Sequence, residues 1–142
     1  MISITSKPID VSKVFLFVKD RKAGATILFT GVVRDHNETS PISEIYYESY
    51  KKMAELELSR IEKEAFKKWK ITKFAAIHRI GNLKVGDVSV IVAVSSEHRR
   101  EAFQSCKYGI DCIKTQVPIW KKEKSNQEYS WTPGSLTHMK NV

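Results

Sequence analysis

The 142-residue chain has only two cysteines, Cys106 and Cys112, too few for a disulfide scaffold, so a reducing, cytoplasmic setting is expected. Six glycines and four prolines exclude a collagen-like or low-complexity chain. No apolar stretch approaches the ~18–20 residues that a membrane helix needs; the longest, residues 90–94, is strand-sized. The first residues carry no basic leader ahead of an apolar block, so no secretory signal is expected and no membrane is expected as a partner. Acid is scarcer than base. Lys and Arg number 24 against 16 Asp and Glu, a formal charge of +8, which favours an anionic partner such as nucleic acid, a phosphorylated metabolite or an acidic protein.

A hydrophobic fraction of 42% and a charged fraction of 28% describe an ordinary globular chain, and the length favours one domain over residues 1–142 with residues 132–142 as a loose polar tail. Residues 2–6 read as a strand. Asp10 caps a helix whose Val11, Val14, Phe15 and Val18 repeat at helical spacing. Residues 24–33 read as a strand, residues 34–41 as a mobile polar loop and residues 43–50 as a strand. Residues 53–69 read as a helix with Ala54, Leu58, Ile61, Ala65 and Trp69 on one side. Residues 71–80 and 88–95 read as paired strands with turns around Gly81-Asn82 and Gly86-Asp87. Ser96 is expected to cap a long helix that turns Ala102, Phe103, Cys106, Ile110 and Ile113 inward and stops at Pro118. Residues 120–124 and 128–131 read as a last hairpin across residues 125–127. Without strict alternation of strand and helix, the order predicts an α+β fold with a mixed or largely antiparallel sheet.

Three places are rich in chemistry. His98-Arg99-Arg100 falls in the first turn of the long helix, where basic side chains oppose the helix dipole and free N–H groups bind anions. Either a phosphate or carboxylate ligand answers that charge, or Glu97 and Glu101 neutralise it in solvent. Lys114 lies near the helix C-terminus, where a cation is favoured in any case, and Lys121 and Lys122 alternate on an extended segment, so at most one of them lines a given pocket. A lysine beside other cations has a lowered pKa and can act as nucleophile or proton donor; the other reading is a solvated basic strand. Gly31 inside a strand marks a close approach, and Arg34, where strand gives way to loop, has the fork that suits phosphate unless it pairs with Asp35 or Glu38. The histidines have no zinc-site spacing, so no metal is expected, and no nucleotide fingerprint appears. Cys106 and Cys112 fall on different sides of the helix and read as packing residues. Tyr46, Tyr47 and Tyr50 read as half-buried strand residues.

Five blocks in order across residues 24–123 resemble the large, catalytic subunit of molybdopterin synthase. They are Phe29-x-Gly31-x-Val33-Arg34-x-x-Asn37, Tyr47-Glu48-x-Tyr50-x-x-Met53-Ala54, His78-Arg79-Ile80-Gly81-x-Leu83-x-x-Gly86-Asp87, His98-Arg99-x-x-Ala102-Phe103 and Asp111-x-Ile113-Lys114-x-x-x-Pro118-x-Trp120-Lys121-Lys122-Glu123. The resemblance implies a hammerhead-like α/β part with a smaller β subdomain. It implies a sulfurtransferase that builds the dithiolene of molybdopterin on cyclic pyranopterin monophosphate (precursor Z). The sulfur comes from the thiocarboxylated C-terminal glycine of a small ubiquitin-like sulfur-carrier subunit. It also implies a homodimer within a heterotetramer, with no cofactor of the large subunit's own. Carried over residue by residue, it places Arg34, His98, Arg99, Lys114, Lys121, Lys122 and Glu123 at the substrate site, beside Val32 and Val33. Lys114 and Lys121 become the catalytic candidates, and Arg34 with His98 and Arg99 the phosphate cradle. All of these are expected to meet in one cationic pit. A basic nucleic-acid-binding module is the alternative from another class, and a scaffold without activity is a third.

Overall fold

The computed structural model describes residues 1–125 and 128–132. In chain order the elements are β1 (Ile2–Thr5), α1 (Val11–Val18), β2 (Ala25–Val32), β3 (Glu44–Ser49), α2 (Lys51–Lys68), β4 (Lys73–Arg79), β5 (Gly81–Lys84), β6 (Val88–Ser96), α3 (Arg99–Gln116), β7 (Ile119–Ser125) and β8 (Glu128–Trp131). They build two four-stranded sheets, ordered β1-β4-β6-β2 and β5-β3-β7-β8. The first is mixed, since β1 runs parallel to β4 while β4, β6 and β2 are antiparallel. The second is antiparallel throughout. This is the α+β class that the sequence predicts.

Both faces of the first sheet are covered. Val14 and Val18 of α1 pack on Ala75, Ile91 and Ala93, while α2 and α3 cover the face that carries Phe74, Ala76, Val90, Val92 and Val94. Strand β6 is therefore buried along nearly its whole length and reads as a continuous apolar run. Asp10 caps α1 as expected, its Oδ1 accepting from Lys13 N at 3.1 Å. Ala54, Leu58, Ile61 and Ala65 form the inward stripe of α2. At Gly109, α3 lies so close to the sheet that a Cβ would stand 3.0 Å from Val92 and 3.3 Å from Phe74. Ile45, Tyr47, Leu83 and Ile119 of the second sheet join the same core, so the two sheets share one apolar interior.

Three expectations are corrected. Residues 81–84 are not part of a turn between β4 and β6 but a strand of the second sheet, pairing with β3 from Glu44↔Lys84 to Tyr47↔Gly81. Buried Leu83 rewards that pairing, and Gly81 and Gly86, with φ of +95° and +91°, allow the chain to leave and re-enter the first sheet. His98, not Ser96, is the N-cap of α3; Ser96 Oγ instead donates to the His98 carbonyl. Phe103 is not in the core but 57% exposed. Residues 34–41 lie outside the helices and strands, as expected of a polar loop, and Asn37 Oδ1 there accepts from Thr39 N and Ser40 N, both at 2.8 Å. The last hairpin forms with Ser125 opposite Glu128; its turn residues and residues 133–142 of the expected tail lie outside the described residues.

Candidate active site

The C-terminal end of α3 meets the junction of the two sheets, and there several of the expected groups gather. Lys114 stands on the last turn of α3 and Lys121 on β7, close enough for the charge of Lys121 to act on Lys114. The Lys114 ammonium is held below the ordinary lysine value, first by desolvation and then by Lys121. Much of the Lys114 side chain is open to solvent, so this is a group at the surface of the junction rather than in a closed interior. Lys121 faces Tyr47 directly across the β3–β7 pairing, and Glu123, 8% exposed, follows it on the same face. Thr132 Oγ1 donates to Glu123 Oε1. Burial is the leading cause that raises the Tyr47 phenol, with Glu123 adding to it.

Lys122 points the other way. Its ammonium lies 4.4 Å from the Trp131 ring centroid and 6.0 Å from that of Tyr46, beside a shallow cavity of about 270 Å³ lined by Tyr46, Asn82, Lys122 and Tyr129. The alternation of a strand separates it from Lys121, so the carry-over that puts both in one pocket is corrected for the Lys122 side chain. Of the three tyrosines, Tyr47 is buried, Tyr46 half-buried and Tyr50 exposed.

Arg34 follows β2 at the same end of the first sheet, because β2 runs antiparallel to β6 with Val32 opposite Val88. A bulge between Gly31 and Val32 bends the strand there. Gly31 has no room for a side chain, since a Cβ would meet Val90 Cγ1 at 2.6 Å. Val32 is exposed, whereas Val33 is buried in the core, its N–H bonded to the Asp87 carbonyl and its carbonyl to Gly86 N. Val33 therefore supports this corner from beneath instead of lining it.

His98 and Arg99 do not join this group within one chain. They begin α3, and fifteen residues at 1.5 Å each put Arg99 about 22 Å from Lys114 along the helix axis. Both are exposed, with His98 Nε2 3.8 Å from Glu97 Oε1. Within one chain the expected groups divide: Lys114 and Lys121 lie together with Glu123 on the same face of β7, Arg34 follows β2 at that end of the first sheet, and His98 and Arg99 stand at the other end of α3.

One residue near Lys114 and Lys121 was missed as a site residue. His78, read only as part of a motif, is buried at the end of β4, and both Lys114 and Lys121 act on it electrostatically. The sequence signal that could have found it is the alternation of β4, which puts His78 on the same face as Phe74 and Ala76, the face covered by α3. Cys106 is buried with its thiol pushed up to about 11, chiefly by desolvation, so it is a packing residue. Among the described residues no group of His, Cys, Asp and Glu is placed to hold a metal ion, and no helix is long and apolar enough to cross a membrane.

The sequence profile of the family described as MoaE protein matches residues 4–116. The molybdopterin synthase catalytic subunit of Thermoplasma volcanium is 40% identical over 131 residues, spanning 92% of this chain and 96% of that relative. The crystal structure of molybdopterin synthase from Staphylococcus aureus superposes with a TM-score of 0.88 at 37% identity, covering 92% of this chain and 96% of that one. A protein–protein complex of subunits 1 and 2 of molybdopterin-converting factor from Helicobacter pylori shares the fold, with a TM-score of 0.76 at 17% identity over 92% of this chain and 88% of that one. By sequence and by fold, this chain belongs to the molybdopterin synthase catalytic-subunit family, the MoaE proteins.

Proposed function

We propose that the chain is the catalytic subunit of a molybdopterin synthase, a sulfurtransferase of molybdenum cofactor biosynthesis. It takes sulfur from the thiocarboxylated C-terminal glycine of a small ubiquitin-like subunit and places it on cyclic pyranopterin monophosphate, forming the dithiolene. Family membership supports the reaction. The observation that carries it into chemistry is the Lys114–Lys121 pair, with the Lys114 proton made easier to give up by desolvation and by its neighbour. A thiocarboxylate is already a nucleophile, so the large subunit has no need of a thiol, which accords with the buried, high-pKa Cys106. What the chain supplies is orientation, charge neutralisation and a proton for departing oxygen. Lys114 is the candidate nearest the incoming tail and the donor; Lys121 stabilises developing oxyanions and keeps the Lys114 pKa low. Arg34 holds the phosphate bidentately, and Glu123 and the exposed Val32 border the pocket.

His98 and Arg99 belong to the same site only when a second copy supplies them. The surface for that copy is the groove between α3 and β2, about 320 Å³, with Phe29, Phe103, Lys107 and Ile110 in its lining. Among the described residues β2 pairs only with β6, so its outer edge is open. A two-fold axis there runs α3 against α3 in opposite directions and carries each His98-Arg99 pair toward the other copy's Lys114. The homodimer, with one small subunit on each copy, is thus the assembly in which all of the cations meet. Two free cysteines accord with a cytoplasmic setting. The nucleic-acid-binding alternative gains no support from the relatives.

The test is dithiolene formation by purified Lys114→Ala with thiocarboxylated partner and pterin substrate. Loss of a positioned proton donor predicts a rate lower by about 10²–10⁴-fold; an undiminished rate removes Lys114 from the mechanism.

A further inference from the structure

The outward face of the second sheet carries groups that the reaction above does not use. Strand alternation turns Lys121 and Glu123 inward and Trp120, Lys122 and Lys124 outward. The register sets one row across all four strands: Tyr46 stands opposite Asn82 on one side and Lys122 on the other, and Lys122 stands opposite Trp131. Beside that row, Trp120 donates from Nε1 to Glu48 Oε2 at 3.3 Å, and its ring meets Tyr50 5.2 Å away at 64°. These rings stay at the surface, with Trp131 51% exposed.

The charges of this face are answered unevenly. In the next row Glu44 accepts from Lys124 at 3.2 Å and from the Tyr129 hydroxyl at 3.4 Å. Lys122 has no ion pair among the described residues; its ammonium rests 4.4 Å from the Trp131 ring centroid and 6.0 Å from that of Tyr46. Ring faces attract a cation without neutralising it, so the charge is left for an acid from outside. Exposed Trp and Tyr around one unanswered cation are the make-up of a protein interface, where aromatics anchor and a charge fixes register. The rings are spread over β3, β7 and β8 rather than closed on one pocket, which favours a protein over a small ligand.

We propose that this face is the docking platform for the body of the small sulfur-carrier subunit, with Tyr46 and Trp131 as anchors and Lys122 meeting an acidic side chain of that subunit. This rests on the function proposed above. Successive residues of β7 serve both purposes, Lys122 the platform and Lys121 the site behind it. The sheet ends at β8, and Thr132 N donates to the Lys121 carbonyl at 3.0 Å just beyond that strand. The way round this edge is about 15 Å, one strand spacing and one sheet thickness, which roughly five extended residues of a C-terminal tail span.

Binding of the purified small subunit in its carboxylate form, followed by calorimetry, tests the platform. Kd should rise roughly 10-fold or more in Trp131→Ala, while kcat at saturating small subunit stays within about 2-fold of wild type. Lys122→Glu should weaken binding more than Lys122→Gln, with a lower kon. Unchanged Kd in folded Trp131→Ala and Lys122→Glu overturns the proposal. So does a Trp131→Ala variant that loses only self-association by light scattering, which assigns the face to a second copy. Amide deuterium exchange of the wild-type chain needs no variant: adding the small subunit should slow exchange at residues 119–124 and 128–131, and protection confined to other segments overturns the platform. A wild-type chain that binds no small subunit overturns the proposed function as well, whereas binding that ignores this face overturns the platform alone.

Discussion

At the residue scale the site is governed by desolvation and by like charge. Lys114 feels both, and Lys121 is the removable part. In Lys121→Gln the like charge is gone, so the Lys114 pKa should rise toward the ordinary value. The alkaline limb of the pH–rate profile should then move to higher pH, although the maximal rate falls because an oxyanion partner is lost. His78 adds a pH dependence of stability. Its folded value of about 4 lies below the ordinary histidine value of 6.5, so the unfolded state binds more protons between these limits. Stability is therefore undiminished above about pH 6.5 and is lost as pH falls toward 4, by up to about 3 kcal/mol at ~1.4 kcal/mol per unit. Urea unfolding at pH 7 and pH 4.5 should show a smaller loss in His78→Gln than in the wild type. The alternation of Lys121 and Lys122 was legible in the sequence, because strand periodicity is local. The burial of His78 was not, since it takes β3, β7 and α3 together to enclose it.

At the element scale, α3 sets the distances. Its contact with the first sheet depends on Gly109, where added atoms meet the rigid side chains of Val92 and Phe74. Gly109→Val should cost roughly 1–3 kcal/mol by overpacking, read as a lower Tm, and should reduce activity by tilting Lys114. Helix and strand periodicity located the three helices of the described residues and most of their strands to within a few residues. Strand β5 was missed because its pairing partner, β3, lies far away in the chain, and Gly81 and Gly86 read locally as turn residues. The misassigned cap of α3 has a similar cause, because the Ser96 hydroxyl bonds the His98 carbonyl rather than a helix N–H. Phe103 follows the apolar rhythm of α3 yet faces outward beside Phe29. That position suits an interface between copies. Phe103→Glu should leave the far-ultraviolet spectrum unchanged and convert the dimer to a monomer by light scattering.

At the scale of the whole molecule, a site completed across a two-fold axis makes a distinctive prediction. Arg99→Ala and Lys114→Ala should each be poorly active alone. After subunit exchange, half of the dimers are mixed and each holds one complete site, so activity should return to about a quarter of wild type. If all the groups served one chain, mixing would restore nothing. The excess of base also gives the molecule a positive field that attracts a thiocarboxylate tail and a phosphate. Association with the small subunit should slow as salt is raised, measured as kon by stopped flow.

By itself the sequence determined the α+β class, the inward stripe of α2, the split of Lys121 from Lys122 and the ordered motifs of the family. Each depends on periodicity or on residue order, which a chain carries before it folds. Only the tertiary structure decided that β5 crosses to the second sheet, that Val33 is core, and that His78 is enclosed and neutral. Those outcomes depend on which distant segments bury one another, and desolvation and distance exist only once they have.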